Sequence, residues 1–345
     1  MRAITVIRPG EVKVVALDKP VPGPYQALVK TEAAVICNAT DGKLVQGHFP
    51  GVEKYPLVLG HEGAGIVQQV GAKVRNFTVG DRAIGGLLFE FSDKSFHSGW
   101  GGFCEYTLVN DHDAMVADGV ADAEHGWFEC YEIQRRVEAD IPAAEAALLC
   151  TWREVYGGIG DFHFQKGEDV LIFGAGPVGL SFVKLCKLFG LGWVGVVDPL
   201  AHKRDKALAM GADAVFAPDS VDLDNLSKNR GKQLDNIIDA VGSPQLINRA
   251  LPLLKLGGSI CVYGVMADKT FTVEKATGPY NFNLFVHQWP TRAREHAAQK
   301  PLCEFIRQQK LCAKEFITHE FPMEKINEAL AVVASGQALK VLLKY

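Results

Sequence analysis

The spacing of hydrophobic and polar positions changes near residue 150. Before that point, short runs rich in β-branched residues are closed by Pro, Gly or charged residues, a pattern typical of strands. We interpret as strands Ala3–Val6, Val12–Ala16, Ala27–Ala34, Glu62–Val70 and Arg82–Ile84. Short strands with closely spaced turns predict a compact barrel or sandwich in the first half of the chain.

After Asp169 the pattern alternates between strands and helices. The predicted strands are Val170–Phe173, Trp193–Val197, Ala214–Phe216, Asn236–Asp239 and Ser259–Tyr263, and the predicted helices are Pro177–Leu188, Ala201–Met210, 221–229 and Gln245–Leu254. Such a series of βαβ units predicts a doubly wound parallel sheet. The remainder predicts helices Leu302–Gln309 and Met323–Ser335, followed by a strand at Lys340–Lys344.

Length and composition narrow the class of protein. A chain of 345 residues exceeds one ordinary hydrophobic core, so we expect two domains. The net charge of -4 and the absence of a basic block argue against nucleic acid or a membrane surface as partner. With neither a secretory signal nor a membrane-spanning run, we expect a cytoplasmic protein. Its eight scattered cysteines are therefore interpreted as reduced thiols or metal ligands.

A glycine-rich turn follows the strand at Val170–Phe173. Its sequence is Gly174-Ala175-Gly176-Pro177-Val178-Gly179. Gly174 permits the tight turn, Gly176 lets the backbone approach a pyrophosphate, and Gly179 lets the next helix pack on the sheet. The free N–H groups at the start of that helix favour a negative charge, so the turn predicts a dinucleotide site.

The next strand ends in Asp198, 19 residues after Gly179. A carboxylate at this position can accept hydrogen bonds from the adenosine ribose and would repel a 2′-phosphate, which favours NAD. Lys203, between His202 and Arg204, follows within a few residues and could instead contact such a phosphate. We therefore expect NAD as cofactor and keep NADP as the alternative.

Three residues far apart in the sequence could bind a metal: Cys37, His61 and Cys150. Two thiolates and one imidazole, with a fourth position left to water or substrate, form a known catalytic zinc pattern. Each cysteine taken alone fits buried packing equally well. The three residues therefore predict a zinc site only as a set.

Longer motifs strengthen that set. They are Gly60-His61-Glu62 followed by Gly63 and Gly65, Val79-Gly80-Asp81-Arg82, Gly101-Gly102-Phe103-Cys104-Glu105-Tyr106, and the glycine turn. In this order and spacing the chain resembles the zinc-dependent medium-chain dehydrogenases, the alcohol and polyol dehydrogenase family. The resemblance implies an α/β protein with a GroES-like β-rich catalytic domain, residues 1–150 and 287–345, and a Rossmann domain, residues 151–286.

The resemblance also implies site residues. Cys37, His61 and Cys150 are expected to hold one catalytic zinc per chain, and Glu62 is the acidic neighbour that can approach the metal. Asp41 is expected to orient the ligating histidine. The implied activity is oxidation of an alcohol by NAD(P), in a homodimer or homotetramer whose last strand returns to the catalytic domain.

The chain departs from the family pattern in its proton relay. The family usually has one residue and then Ser or Thr between the cysteine and the aspartate, whereas Cys37 and Asp41 lie one residue further apart. We assign the first relay step to Thr40, the hydroxyl beside the aspartate. Lys43 occupies the position where the family often has a relay histidine.

Two further departures concern whole segments. The interval 83–100 contains no cysteine, so the four-cysteine structural zinc site of many relatives is expected to be absent. The segment Asp118–Glu138 matches nothing in the usual pattern. It could form a lid or a wall of the substrate pocket, or it could form a subunit contact.

Two other functions remain open from the residues alone. A zinc-free reductase of the same superfamily, acting on quinones or enones, would fit the missing structural zinc. A non-catalytic nucleotide-binding protein is the other. For the main hypothesis, polar and aromatic residues in the divergent segments favour a polyol or sugar over a simple secondary alcohol. They are His48, Glu90, His97, Trp152, Glu154 and Trp289.

Overall fold

The computed structural model describes all residues, Met1–Tyr345, as strands β1–β17 and helices α1–α10 joined by loops and short 3-10 turns. The strands are β1 Arg2–Arg8, β2 Glu11–Ala16, β3 Gln26–Val35, β4 Leu57–Val58, β5 Gly63–Val70, β6 Arg82–Ile84, β7 His97–Ser98, β8 Tyr106–Asn110, β9 Arg135–Val137, β10 Asp169–Phe173, β11 Trp193–Val197, β12 Ala214–Phe216, β13 Leu234–Asp239, β14 Leu254–Val262, β15 Asn283–Val286, β16 Ile317–Pro322 and β17 Lys340–Lys344. The helices are α1 Thr40–Gln46, α2 His112–Ala117, α3 Ala143–Asp161, α4 Pro177–Phe189, α5 Ala201–Ala209, α6 Val221–Asp224, α7 Leu226–Arg230, α8 Pro244–Ala250, α9 Arg292–Arg307 and α10 Ile326–Ala334. No helix combines the length and the apolar character needed to span a membrane.

The chain divides into two compact units. The first comprises Met1–Thr151 and Gln299–Tyr345, and the second comprises Trp152–Ala298. The first unit is β-rich, as predicted. It holds a four-stranded sheet of order β2-β1-β4-β7 and a seven-stranded sheet of order β16-β17-β3-β5-β6-β9, in which β8 also pairs with β3. β3 pairs with β17, β5 and β8 and is therefore the central strand of the seven-stranded sheet.

The last strand belongs to the first unit. β17 pairs antiparallel with β3, with Leu342 opposite Val35, and parallel with β16. The predicted return of the C-terminal strand is therefore confirmed. Its apolar side chains Val341 and Leu343 are fully buried in a core shared with β1, α1 and β4.

The second unit is built on a six-stranded sheet in which every pairing is parallel, in the order β12-β11-β10-β13-β14-β15. This confirms the predicted doubly wound sheet. β10 is buried along its whole length, as a central strand covered on both faces should be. β10 and β13 are neighbours in the middle of the sheet. From β10 the chain adds β11 and β12 on one side, and from β13 it adds β14 and β15 on the other. Sheets of this kind bind ligands at such a switch point, beyond the carboxyl ends of the strands.

Several predicted elements differ in extent. Helix α9 begins at Arg292, ten residues before the predicted Leu302, and contains Pro301 in its interior. The predicted start at Leu302 was wrong, and the observed helix continues through a proline, a residue usually found in the first turn of a helix. The predicted polar helix 221–229 is two short helices that meet at Asn225. Strand β15 and helix α3 were not predicted at all.

Candidate active site

The pairing of β3 with β5 brings two sequence-predicted residues together. The Val35 N–H donates to the backbone oxygen of Glu62 over 2.8 Å, so the end of β3 lies beside the start of β5. Cys37 follows the end of β3, and His61 precedes β5. The metal-binding atoms of Cys37, His61 and Glu62 all lie within 4.8 Å of one another. Zinc binds sulfur and nitrogen at about 2.0–2.3 Å, so one ion is within reach of all three side chains.

The imidazole of His61 lies between two carboxylates. Its Nδ1 is 3.6 Å from Asp41 Oδ1, and its Nε2 is 3.8 Å from Glu62 Oε1. Asp41 is fully buried, and its Oδ2 accepts the backbone N–H of Cys37 over 2.9 Å. Asp41 therefore contacts the backbone of one candidate ligand and faces the ring of the other. The ring of Trp100 lies 5.6 Å from that of His61 and covers it.

The donor set fits a bound cation. His61 Nδ1 and Asp41 Oδ1 are both buried without a hydrogen-bond partner. Burial raises the pKa of Asp41 to about 7, although His61 and the Cys37 N–H oppose that shift. Buried acceptors without partners are costly, and a positive ion coordinated by the thiolate and imidazole would stabilise the nearby negative charge.

Glu62 is held by a residue that the sequence analysis did not identify. Lys340 Nζ, at the start of β17, lies 2.9 Å from Glu62 Oε1 and 2.7 Å from Oε2, and both side chains are buried. Thr151 Oγ1 donates to Glu62 Oε2 over 2.8 Å. Burial alone would raise the pKa of Glu62, but Lys340, His61 and Thr151 hold it below its ordinary value. Glu62 is thus an ionised, anchored neighbour of His61.

Cys150 is half-buried in α3 and directly precedes Thr151. Since the hydroxyl of Thr151 contacts Glu62, the chain around Cys150 lies close to the cluster of Cys37, His61 and Glu62. The role of Cys150 as third zinc ligand stays a prediction. The relay role of Thr40 and Lys43 also stays a prediction. Both residues are half-buried in α1, close in sequence to Asp41.

The glycine turn joins β10 to α4. Gly174 has φ +98°, and a Cβ on Gly179 would lie 1.9 Å from the Gly174 oxygen, so neither position suits a side chain. A Cβ on Gly176 would meet nothing within 4 Å, which leaves open space on that side of the turn. Helix α4 begins at Pro177 without a side-chain cap. The N–H groups of Val178 and Gly179 are therefore available to a phosphate.

Asp198 lies at the end of β11 and is buried. Its Oδ2 accepts the N–H of Ala175 over 2.8 Å, and its Oδ1 accepts the N–H of Leu200 over 2.9 Å. The carboxylate thus fixes the glycine turn, and each oxygen keeps a lone pair for a further donor. Arg204 Nη1 donates to the backbone oxygens of Asp198 and Pro199. This places a guanidinium next to the end of β11, with the half-buried Lys203 beside it.

Comparison with known proteins agrees with both units. The family model described as alcohol dehydrogenase GroES-like domain matches residues 23–118, and the model described as zinc-binding dehydrogenase matches residues 177–287. A sorbitol dehydrogenase of Halalkalibacterium halodurans is 25% identical over 94% of this chain and 93% of its own length. D-arabinitol dehydrogenase 1 of Uromyces fabae is 25% identical over 100% of this chain and 97% of its own length.

Solved structures share the fold. An alcohol dehydrogenase of Escherichia coli CFT073, complexed with NADH, aligns over 100% of this chain and 99% of its own with a TM-score of 0.80 and 22% identity. The two family models together match more than half of the sequence, and their order is the order of the two units. The chain belongs to the zinc-type medium-chain dehydrogenase family.

Proposed function

We propose that this protein is a zinc-dependent dehydrogenase that transfers hydride from an alcohol to NAD(P), with a polyol, a sugar or a secondary alcohol as substrate. The observation that carries the proposal is the cluster of Cys37, His61 and Glu62, whose metal-binding atoms lie within 4.8 Å of one another. Relatives named as sorbitol and arabinitol dehydrogenases support the polyol class. A homodimer or homotetramer in the cytoplasm is part of the same proposal.

The proposed ligands of one catalytic zinc are Cys37, His61 and Cys150. A zinc ion held there would supply Lewis-acid chemistry that makes the hydroxyl of an alcohol easier to deprotonate. Asp41 would keep the His61 ring oriented, with Nδ1 towards the carboxylate and Nε2 towards the metal. Glu62, held by Lys340, would keep a fixed negative charge beside the ligands. Thr40 Oγ1 would receive the hydroxyl proton and pass it towards Lys43 or solvent.

The proposed cofactor site uses the glycine turn and the end of β11. The N–H groups of Val178 and Gly179 would bind the pyrophosphate, with Gly174 and Gly176 giving it room. Asp198 would accept hydrogen bonds from the adenosine ribose, and Lys203 would lie beside it. NAD is the proposed cofactor, with NADP as the alternative.

A screen of polyols, sugars and simple secondary alcohols, with NADH absorbance as the readout, tests the proposed activity. We expect turnover with at least one of these alcohols in zinc-loaded protein. Turnover of quinones or enones that survives complete metal removal would support the zinc-free reductase. Cofactor binding with no turnover of any alcohol, quinone or enone would support a non-catalytic nucleotide-binding protein.

Thr40→Val is expected to slow alcohol oxidation by about a hundredfold, because a hydroxyl can relay a proton and a methyl group cannot. Zinc content and NAD affinity should stay near those of the unaltered protein. Thr40→Ser, which keeps the hydroxyl, is the matched control and should retain most of the activity. If kcat is unchanged in Thr40→Val while a solvent isotope effect shows proton transfer to be rate-limiting, Thr40 is not part of the relay.

NAD is expected to give the higher kcat/KM of the two cofactors, because the Asp198 carboxylate would repel a 2′-phosphate. Asp198→Asn removes the charge and keeps an acceptor for the Ala175 N–H. It should lower the ratio of kcat/KM with NAD to kcat/KM with NADP by roughly tenfold, which corresponds to about 1.4 kcal/mol. Lys203→Gln is the comparison variant and should lower kcat/KM only with NADP. A preference for NADP in the unaltered protein would show that Lys203 and Arg204 control the choice.

A further inference from the structure

The first unit contains a cavity whose walls include no residue of the proposed zinc site. It has a volume of about 880 Å³ and lies between the end of β2, the segment 87–96 and the segment Asp118–Glu138. Small-molecule sites typically have volumes of roughly 300–1,000 Å³. The interval without the structural zinc cysteines and the segment that the family pattern does not contain thus meet at one cavity.

The wall of the cavity is aromatic. Phe89 and Phe128 lie with their ring centroids 4.9 Å apart, and the ring of Tyr131 is 5.7 Å from that of Phe128. Phe128 caps the 3-10 turn that contains Tyr131, and residues three apart on such a turn project the same way. The same lining also includes the buried apolar residues Leu87, Leu88 and Phe91. Such a surface favours the flat face of an apolar molecule.

One hydroxyl in this wall makes no hydrogen bond within the protein. Tyr131 is 5% exposed, lines the cavity, and makes no hydrogen bond through its hydroxyl. A ligand that covers this hydroxyl should accept its hydrogen bond, because most buried polar groups in proteins are hydrogen-bonded. Burial raises the pKa of Tyr131 to about 12, so the phenol remains protonated and can donate. A ligand with an acceptor atom would satisfy it.

Charged residues of both signs lie at the rim of the cavity, each in contact with a neighbouring group. Asp18 accepts a hydrogen bond from Ser92 Oγ over 2.7 Å, and Lys94 Nζ lies 3.3 Å from Glu90 Oε2. Lys19 Nζ lies 3.9 Å above the centre of the Tyr106 ring. Glu90, which the sequence analysis suggested for the substrate pocket, is therefore a rim residue of this cavity. The charged groups lie at the rim and the aromatic rings form the wall, so the rings supply the main contact surface for a ligand.

We propose that this cavity binds a flat, largely apolar molecule with one hydrogen-bond acceptor, such as a ring carbonyl, placed against Tyr131. The aromatic wall supplies the contact area, and the Tyr131 hydroxyl fixes the orientation. Asp118–Glu138 would then form a wall of this cavity, a role different from the substrate-pocket wall and the subunit contact that the sequence suggested. It goes beyond the proposed dehydrogenase activity and does not depend on it.

Titration with Nile red, a neutral planar dye with a ring carbonyl, tests the proposal by fluorescence. The zinc-loaded protein is saturated with NAD so that the nucleotide site is filled. We expect saturable binding of one dye per chain. Tyr131→Phe should weaken binding about tenfold, because it removes only the hydroxyl. Phe128→Ser should weaken it at least as much, and since Phe128 is 50% exposed the variant should still fold.

Val79→Ser is the control for loss of an exposed apolar side chain, because Val79 is 64% exposed and lies outside the cavity. It should bind the dye as the unaltered protein does, and circular dichroism should show all variants folded. Absence of saturable binding would overturn the proposal, as would equal affinity in all three variants or displacement of the dye by an alcohol substrate. Because dye binding needs no turnover, this result is independent of whether the protein is a dehydrogenase.

Discussion

Cys150→Ser is expected to lose most of the zinc and more than a hundredfold of kcat. Zinc sites that keep an open position for substrate hold the ion with only three protein ligands. Cys150→Ser would therefore leave the ion with two of its three protein ligands. Even residues that merely support a ligand typically contribute about 10–100-fold to metal affinity or activity, and a ligand should contribute more. Elemental analysis and steady-state kinetics on the same preparation measure both effects.

Two other cysteines serve as controls for that substitution. Cys186 and Cys261 are fully buried in the second unit, and burial raises the pKa of both thiols, so neither is suited to bind a metal. Cys186→Ser should keep its zinc, even if it is less stable. If Cys150→Ser keeps a full zinc complement and normal turnover, Cys150 is a packing residue and the ligand set must be rebuilt around Cys37, His61 and Glu62.

Lys340→Met is expected to lower the free energy of unfolding by about 3–5 kcal/mol, because it leaves the buried carboxylate of Glu62 without its cation. The pair is buried at both ends, so solvent screens it little. The hydrogen bond from Thr151 remains, but a single neutral donor cannot replace an ammonium group. Denaturant-induced unfolding, followed by a signal from the first unit, measures the loss.

The double variant Glu62→Gln with Lys340→Met separates the charge from the packing. With both charges removed, the stability should recover most of the way towards that of the unaltered protein, since replacing a buried ion pair by neutral groups often costs little. A loss below about 1 kcal/mol in Lys340→Met would show that Glu62 is neutralised in another way. An equal loss in the single and double variants would assign the effect to packing.

Local patterns were enough to predict much of the fold. The glycine turn and β10 are contiguous in sequence, and their chemistry depends on residues a few positions apart, so their place in a doubly wound sheet could be recognised. The return of β17 was predicted through the family resemblance. Strand β15 was missed because its four residues are half-buried or exposed and show no strong hydrophobic pattern.

The environment of the metal ligands could not be predicted in the same way. Lys340 and Glu62 are 278 residues apart in the sequence, and the pairing of β3 with both β17 and β5 brings them together. The available signal was one lysine at the start of an apolar strand, which usually indicates an exposed position. Trp100 reaches His61 from a loop with positive φ, a conformation that its residue type does not suggest.

Whether catalysis depends on a single bound zinc can be measured on one preparation of purified protein. Zinc content and turnover are determined before metal removal, after it, and after zinc is restored. The account predicts about one zinc per chain, because the chain offers one open site and no four-cysteine cluster. Activity should disappear with the metal and return with zinc. Two tightly held zinc ions per chain would reveal a second site, and full activity without metal would contradict the proposed mechanism.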